Sequence, residues 1–209
     1  MGNKPELLSE IKICIICEGF EEYEYLKQLN DLHVWNNKIE FILINAESNG
    51  NIPARYQAAY MSDNYDIVLI FCDTDDKPYE SYTLIKEKID KIHGIPNSSS
   101  SVTIFANPCT MQIILLHFEF VLLSSHKKVD NQSDIKRCTN VGSYEAKAKQ
   151  RKRIFSQISE TNYQVMLTNI SRLPTNDTVQ NSTNFLVFLN HFSSPDTDWL
   201  DTINNAISI

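Results

Sequence analysis

The chain has 209 residues, of which 42% are hydrophobic and 22% charged, with a formal net charge of −7. That length supports one sizeable core, or one domain with an appended helical piece. Ordinary apolar content, five glycines and seven prolines exclude a disordered chain, a collagen and a disulfide-stapled miniprotein.

The longest apolar run, Met111 to Leu123, has 13 residues and contains His117 and Glu119, so it is too short and too polar to span a membrane. The opening stretch, MGNKPELLSE, has neither the basic nor the apolar region of a secretory leader. It also fails the myristoylation pattern, because Glu6 stands where Ser or Thr is required. The expectation is a soluble, cytoplasmic protein.

The chain alternates between two periodicities. IKICIIC (11–17) is a continuous apolar run before Glu18 and Gly19, as in a strand buried on both faces. Residues 20–35 place Tyr25, Leu26, Leu29 and Leu32 at helical spacing. Residues 39–44 form a second strand, and 52–61 a helix with Pro53 in its first turn. Residues 66–72 form a third strand. The spacing predicts a helix over 78–93, with Leu84, Ile85, Ile89 and Ile92 on one stripe and Gly94 ending it. A short fourth strand at 102–105 precedes a very apolar helix at 108–123. A polar loop (124–142) then leads into helical stretches at 143–158, 163–171, 182–191 and 198–206. Buried strands separated by helices predict an α/β fold with a mostly parallel four-stranded sheet flanked by helices and a helical C-terminal portion. The expected division is a core over 1–123 and, over 124–209, a basic loop and helical extension packed on it.

The charge is unevenly spread. Residues 126–153 carry nine of the nineteen basic residues and three acids. Such an island on an acidic body suits a polyanion met at one place, but equally a solvated helix face, and charge alone does not separate the two. Cys14 and Cys17 form a C-x-x-C, yet on a strand residues three apart point to opposite faces, and no second ligand pair has zinc-type spacing. Buried, reduced thiols are the expectation. His117, on an apolar helix, is expected as a packed histidine, and His33, His93, His126 and His191 show no metal-type spacing. Tyr23, Tyr25, Tyr79 and Tyr82 have the spacing of core or rim residues rather than of a base-stacking platform.

In open α/β sheets, chemistry sits at the carboxyl ends of strands. The first strand ends in Glu18, with Glu22 one helical turn later on the same face. The third ends in Asp73-Thr74-Asp75-Asp76, where Asp73 and Asp75 project the same way in extended chain. Taken singly, each acid is equally a helix-dipole or capping residue. Four carboxylates converging from neighbouring strands would repel one another unless protonated or balanced by a cation. Oxygen donors point to magnesium or manganese rather than zinc.

Glutamate-glycine after the first strand followed by D-x-D after the third resembles the TOPRIM domain of topoisomerases, bacterial primases and several nucleases. The finer resemblance is to RloB-like proteins, small TOPRIM proteins that accompany ATPases in phage-defence and abortive-infection loci. CEGFEEYEYLKQL (17–29), DIVLIFCDTDD (66–76), ANPCTMQIILLHFE (106–119) and, more loosely, YEAKAK (144–149) and LPTNDTVQ (173–180) carry it. The resemblance implies a metal-dependent nuclease that cleaves DNA or RNA as the effector of a defence system. Glu18 would be the general acid/base or a ligand, Asp73 and Asp75 magnesium or manganese ligands, and Glu22 a further ligand. Lys147 would neutralise phosphate charge, and Lys149, Arg151, Lys152 and Arg153 would track the nucleic-acid backbone. The expected partners are nucleic acid and an ATPase of the same locus, with self-association left open and no membrane.

One departure cuts against this. Where the family has Ser and Phe-Glu around Asn-Pro-Cys, this chain has Ala106 and Thr110-Met111. Glu119, eight residues further along the expected helix and so about 12 Å away, cannot substitute; it is expected to pair with a neighbouring basic group. The alternative function is therefore a catalytically degenerate TOPRIM subunit that binds a partner or nucleic acid without cleaving. A receiver-like phospho-acceptor module is the weaker rival, since it needs Ser or Thr closing the fourth strand and Lys closing a fifth.

Overall fold

The computed structural model describes residues 11–208; the opening stretch, with the leader and myristoylation expectations placed on it, lies outside them. Four strands, β1 (Ile11–Cys17), β2 (Ile39–Asn45), β3 (Ile67–Asp73) and β4 (Thr103–Asn107), pair in parallel in the order β2-β1-β3-β4. Nearly every side chain of β1, β3 and β4 is buried, whereas β2 is a half-buried edge, which is why its neighbours read as unbroken apolar runs.

The sheet has a fifth member where a helix was expected. β5 (Ser182–Thr183) runs antiparallel along β4. Polar side chains hold it there: Asn184 accepts from the Phe105 N–H and donates to Thr103 O, and the Thr183 hydroxyl donates to Phe105 O.

Helices α1 (Phe20–Asp31), α2 (Ile52–Tyr60), α3 (Glu80–His93) and the short α4 (Ser99–Val102) connect the parallel strands. Pro53 occupies the first turn of α2, and Gly94, at φ 69°, ends α3 in the left-handed region. The buried stripe of α3 is Tyr82, Ile85, Ile89 and His93; Leu84 is exposed, so the stripe is rotated from the expected one.

The expected helix over 108–123 is also shorter: α5 spans only Thr110–Leu115. Gln112 donates to Val121 O and accepts from the Leu123 N–H, folding the following segment back. The side-chain amides of Asn169 and Asn162 reach Leu116 O and His117 O, supplying partners to carbonyls left at the helix end. Glu119, now off the helix, pairs with Arg137. Arg137 belongs to α6 (Gln132–Thr139), a helix inside the segment expected as a loop. α7 (Ala148–Phe155), α8 (Glu160–Ile170), α9 (Phe185–Ser193) and α10 (Asp198–Ile207) complete the chain.

The C-terminal helices share the core of the sheet. Phe185 stacks on Phe71 with ring centroids 5.2 Å apart, and Phe192 joins Trp35 and Phe41 over the β2 edge. Cys14, Cys17, Cys72 and Cys109 are buried free thiols. Tyr25 and Tyr82 are buried, while Tyr23 and Tyr79 are half-buried at the rim of the core. His117 is buried against Tyr25, with 2.9 Å between Nε2 and the phenol oxygen, and burial holds its pKa down at about 3. Tyr25→Phe leaves that imidazole without this partner and is expected to cost about 1–3 kcal/mol in urea unfolding. No helix among the described residues is long and apolar enough to cross a membrane.

Candidate metal centre

The strand order creates the site. From β1 the chain steps to β2 on one side, then returns past β1 to β3 on the other, so the loops after β1 and β3 diverge and leave a crevice at their carboxyl ends. Glu18 follows β1 directly, and its backbone N–H donates to Phe71 O at 3.0 Å. Asp73 closes β3, and its N–H donates to Glu18 Oε2 at 3.0 Å, joining the two strand tips.

The crevice is a cleft of about 410 Å³ lined by Glu18, Glu21, Glu22, Asp73 and Lys128, among others. Its acids are held by protein donors. Glu22 Oε2 accepts from the Gly19 N–H at 2.9 Å in a capping arrangement at the start of α1. Asp73 Oδ1 accepts from both the N–H and the hydroxyl of Thr110, at 2.7 and 2.8 Å. Thr110 lies in the stretch that departs from the family pattern, and here it ties α5 to β3. Met111 beside it is buried.

Burial and mutual repulsion raise three of the acids. Glu18 is pushed up to about 8, by burial first and then by Glu22, and Glu22 to about 7, by burial and then by Glu21. Burial, then Glu22 and Glu18, carries Asp73 well above the carboxylate range. Lys128 is raised despite burial, because Glu21 outweighs the desolvation of its ammonium.

Glu18, Glu22 and Asp73 are thus brought together. Asp75 stands at the rim in the left-handed region (φ 60°), with its N–H on Pro108 O, close enough to raise Glu18. Lys147 stays outside, 70% exposed and paired with Glu145. Arg151 lines the cleft but is committed to Glu24 through two contacts of 2.9 and 2.8 Å and to Ala146 O. Lys149, Lys152 and Arg153 are exposed on α7, which packs beside α1.

Sequence reasoning missed Glu21, Lys128 and Asp76. Glu21 adjoins the recognised glutamates and shares their helix turn, which was a usable signal. Lys128 arrives on a loop 55 residues after Asp73, with nothing local to mark it. Asp76 fastens that loop, accepting from the Ser125 hydroxyl at 2.9 Å and the His126 N–H at 3.0 Å.

Among the described residues no three His, Cys, Asp or Glu side chains converge as a ready metal cage. The donor set nevertheless suits a hard divalent cation. Of the described residues lining the cleft, the side-chain donors are oxygens, the carboxyl groups of Glu18, Glu21, Glu22, Glu47 and Asp73 and the hydroxyl of Ser48, with no thiol or imidazole among them. The receiver arrangement fares worse: β4 closes on Ala106-Asn107, and β5 is antiparallel and ends in Thr183 rather than Lys. No protein-family model matches this chain, and neither a curated protein nor a solved structure matches it.

Proposed function

We propose that this chain is a TOPRIM-type, magnesium- or manganese-dependent nuclease resembling the RloB-like proteins. In this reading it cleaves phosphodiester bonds of DNA or RNA as the effector of a phage-defence system with a partner ATPase. One observation carries it: Glu18 and Asp73, at the tips of adjacent parallel strands, are joined by a hydrogen bond in a cleft where burial and mutual repulsion push Glu18 up to about 8, Glu22 to about 7 and Asp73 well above its ordinary value. Glu18, Glu22 and Asp73 would hold the ion, with Asp75 at the rim. When bound, a divalent cation supplies Lewis-acid stabilisation of phosphate charge and lowers the pKa of water.

The chain's own contribution is positioning and proton handling. Glu18, poised at about 8, holds or accepts a proton close to working pH. Arg151 and Glu24 dock α7 beside α1, and in this reading the exposed Lys149, Lys152 and Arg153 of α7 would track the phosphate backbone. The degenerate-subunit reading is favoured by buried, apolar Met111 at the family's glutamate position.

The deciding experiment incubates plasmid DNA, single strands and total RNA with magnesium, manganese or chelator. Metal-dependent degradation supports the nuclease and names its substrate class; nucleic-acid binding without cleavage in any metal supports the degenerate subunit. Changing Lys149, Lys152 and Arg153 together to Ala is expected to weaken binding to all sequences alike and to flatten the salt dependence, by about 0.7–0.9 in log–log slope for each lost phosphate contact. Salt-titrated binding assays check this.

A further inference from the structure

The cleft holds more negative charge than its protein partners balance. Glu18, Glu21, Glu22, Glu47 and Asp73 line it, and Asp75 is close enough to act on Glu18. Of the described residues lining it, the cations are Lys128 and Arg151. Arg151 is used up by Glu24 and the Ala146 carbonyl. Arg151 still acts on Glu21 through space, but Lys128 is the cation paired with a cleft acid, with Nζ 3.1 Å from Glu21 Oε2.

Two features make this more than a surface ion pair. The Glu21 side chain is only 10% exposed, and what stands by it besides Lys128 is the buried Tyr144 hydroxyl, a neutral group whose pKa Glu21 raises. A carboxylate so withdrawn from water needs a counter-charge beside it, and the Lys128 ammonium supplies one. The loop that delivers Lys128 is also fixed: Asp76 grips Ser125 and His126, and the Asn131 amide donates to Ser125 O and Lys127 O. Asp76 directly follows Asp75, so one acidic run serves both the cleft and the loop carrying its counter-charge.

We propose that the Lys128 ammonium is a built-in cation of this centre, filling from the protein the position beside Glu21 that a second divalent ion would otherwise take, so that the cleft loads a single ion. This rests on the metal-dependent reading above. An ammonium supplies positive charge and three donors but no open coordination positions, so Lys128 balances the acids and orients a phosphate oxygen without activating water. Asp76 is then a positioning residue acting through the loop.

The test is binding stoichiometry, independent of cleavage. Metal-free protein is titrated with Mn²⁺ at pH 8 and bound ion is counted by electron paramagnetic resonance. One ion is expected for the wild type and for Lys128→Arg, and two for Lys128→Met, where Glu21 is released to ligate. Lys128→Gln, neutral but still polar, is likewise expected to bind two and keeps the test decisive if Lys128→Met does not fold. The double variant Glu21→Gln/Lys128→Met is expected to return to one, which assigns the second ion to Glu21. Two ions in the wild type, or a single ion in both folded neutral Lys128 variants, overturns the inference and leaves the metal centre standing. No bound ion in any form overturns the metal-dependent reading together with it.

Discussion

Asp73→Asn is expected to lower metal-dependent cleavage by about a hundredfold or more while raising the melting temperature of the metal-free protein at pH 8. The two effects share one cause. The carboxylate stands half-buried beside Glu22 and Glu18, so its charge is costly without a cation and useful with one. Asparagine keeps the acceptor that both Thr110 donors reach, and its amide replaces a repelling oxygen with a donor. A relief of about 1 kcal/mol corresponds to roughly 2–4 °C at this chain length. Thermal melts in chelator, run beside cleavage assays, decide it. A fall in melting temperature together with lost cleavage would assign Asp73 to the fold, and unchanged cleavage would remove it from the site. Asp75→Asn, at the rim, is expected to have the smaller effect on both.

The second large effect is on pH dependence, and its sign is the reverse of that for most carboxylates. Glu18 and Glu22, raised to about 8 and about 7 from an ordinary 4.5, bind more protons folded than unfolded. Their contribution to stability is therefore full below the unfolded value and falls as pH rises through the folded one. His93, His117 and His191, depressed by burial from 6.5, act in the opposite sense, but their contribution is complete above pH 6.5. Between pH 6.5 and 8 the acids act alone, and metal-free stability is expected to drop by an amount on the order of a kcal/mol or more. Magnesium is expected to restore it, more at pH 8 than at 6.5, because ion and protons compete for the same oxygens. Denaturation at several pH values, with magnesium and with chelator, measures this; stability flat or rising across that window in chelator would refute it.

The parallel sheet was legible because each of its strands is a run of apolar residues with no competing period. IKICIIC allows no amphipathic helix, and β1 has the expected bounds. What escaped was structure made by polar side chains at long range. β5 is two hydroxyl residues placed by Asn184 and Thr183, and no propensity marks it. α5 stops where Gln112, Asn162 and Asn169 offer its neighbours other partners, so an apolar run predicted a longer helix than tertiary contacts allow. The site divides the same way. Glu18, Glu22 and Asp73 follow from strand ends, a local rule. Lys128 depends on a loop fixed to Asp76, and Lys147 sits in a basic stretch that the fold turns outward.

The antiparallel pairing of Ser182 and Thr183 with Asn107 and Ala106 also orders events during synthesis. The residues that cover the β4 edge are translated some 75 positions after it. At about 5–20 residues per second the ribosome needs roughly 4–15 s to deliver them. Throughout that interval the nascent sheet presents an unpaired strand, open to docking by other extended chains. A truncation before residue 182 makes that interval permanent, so shortened forms of this protein should be recovered as aggregates or bound to chaperones.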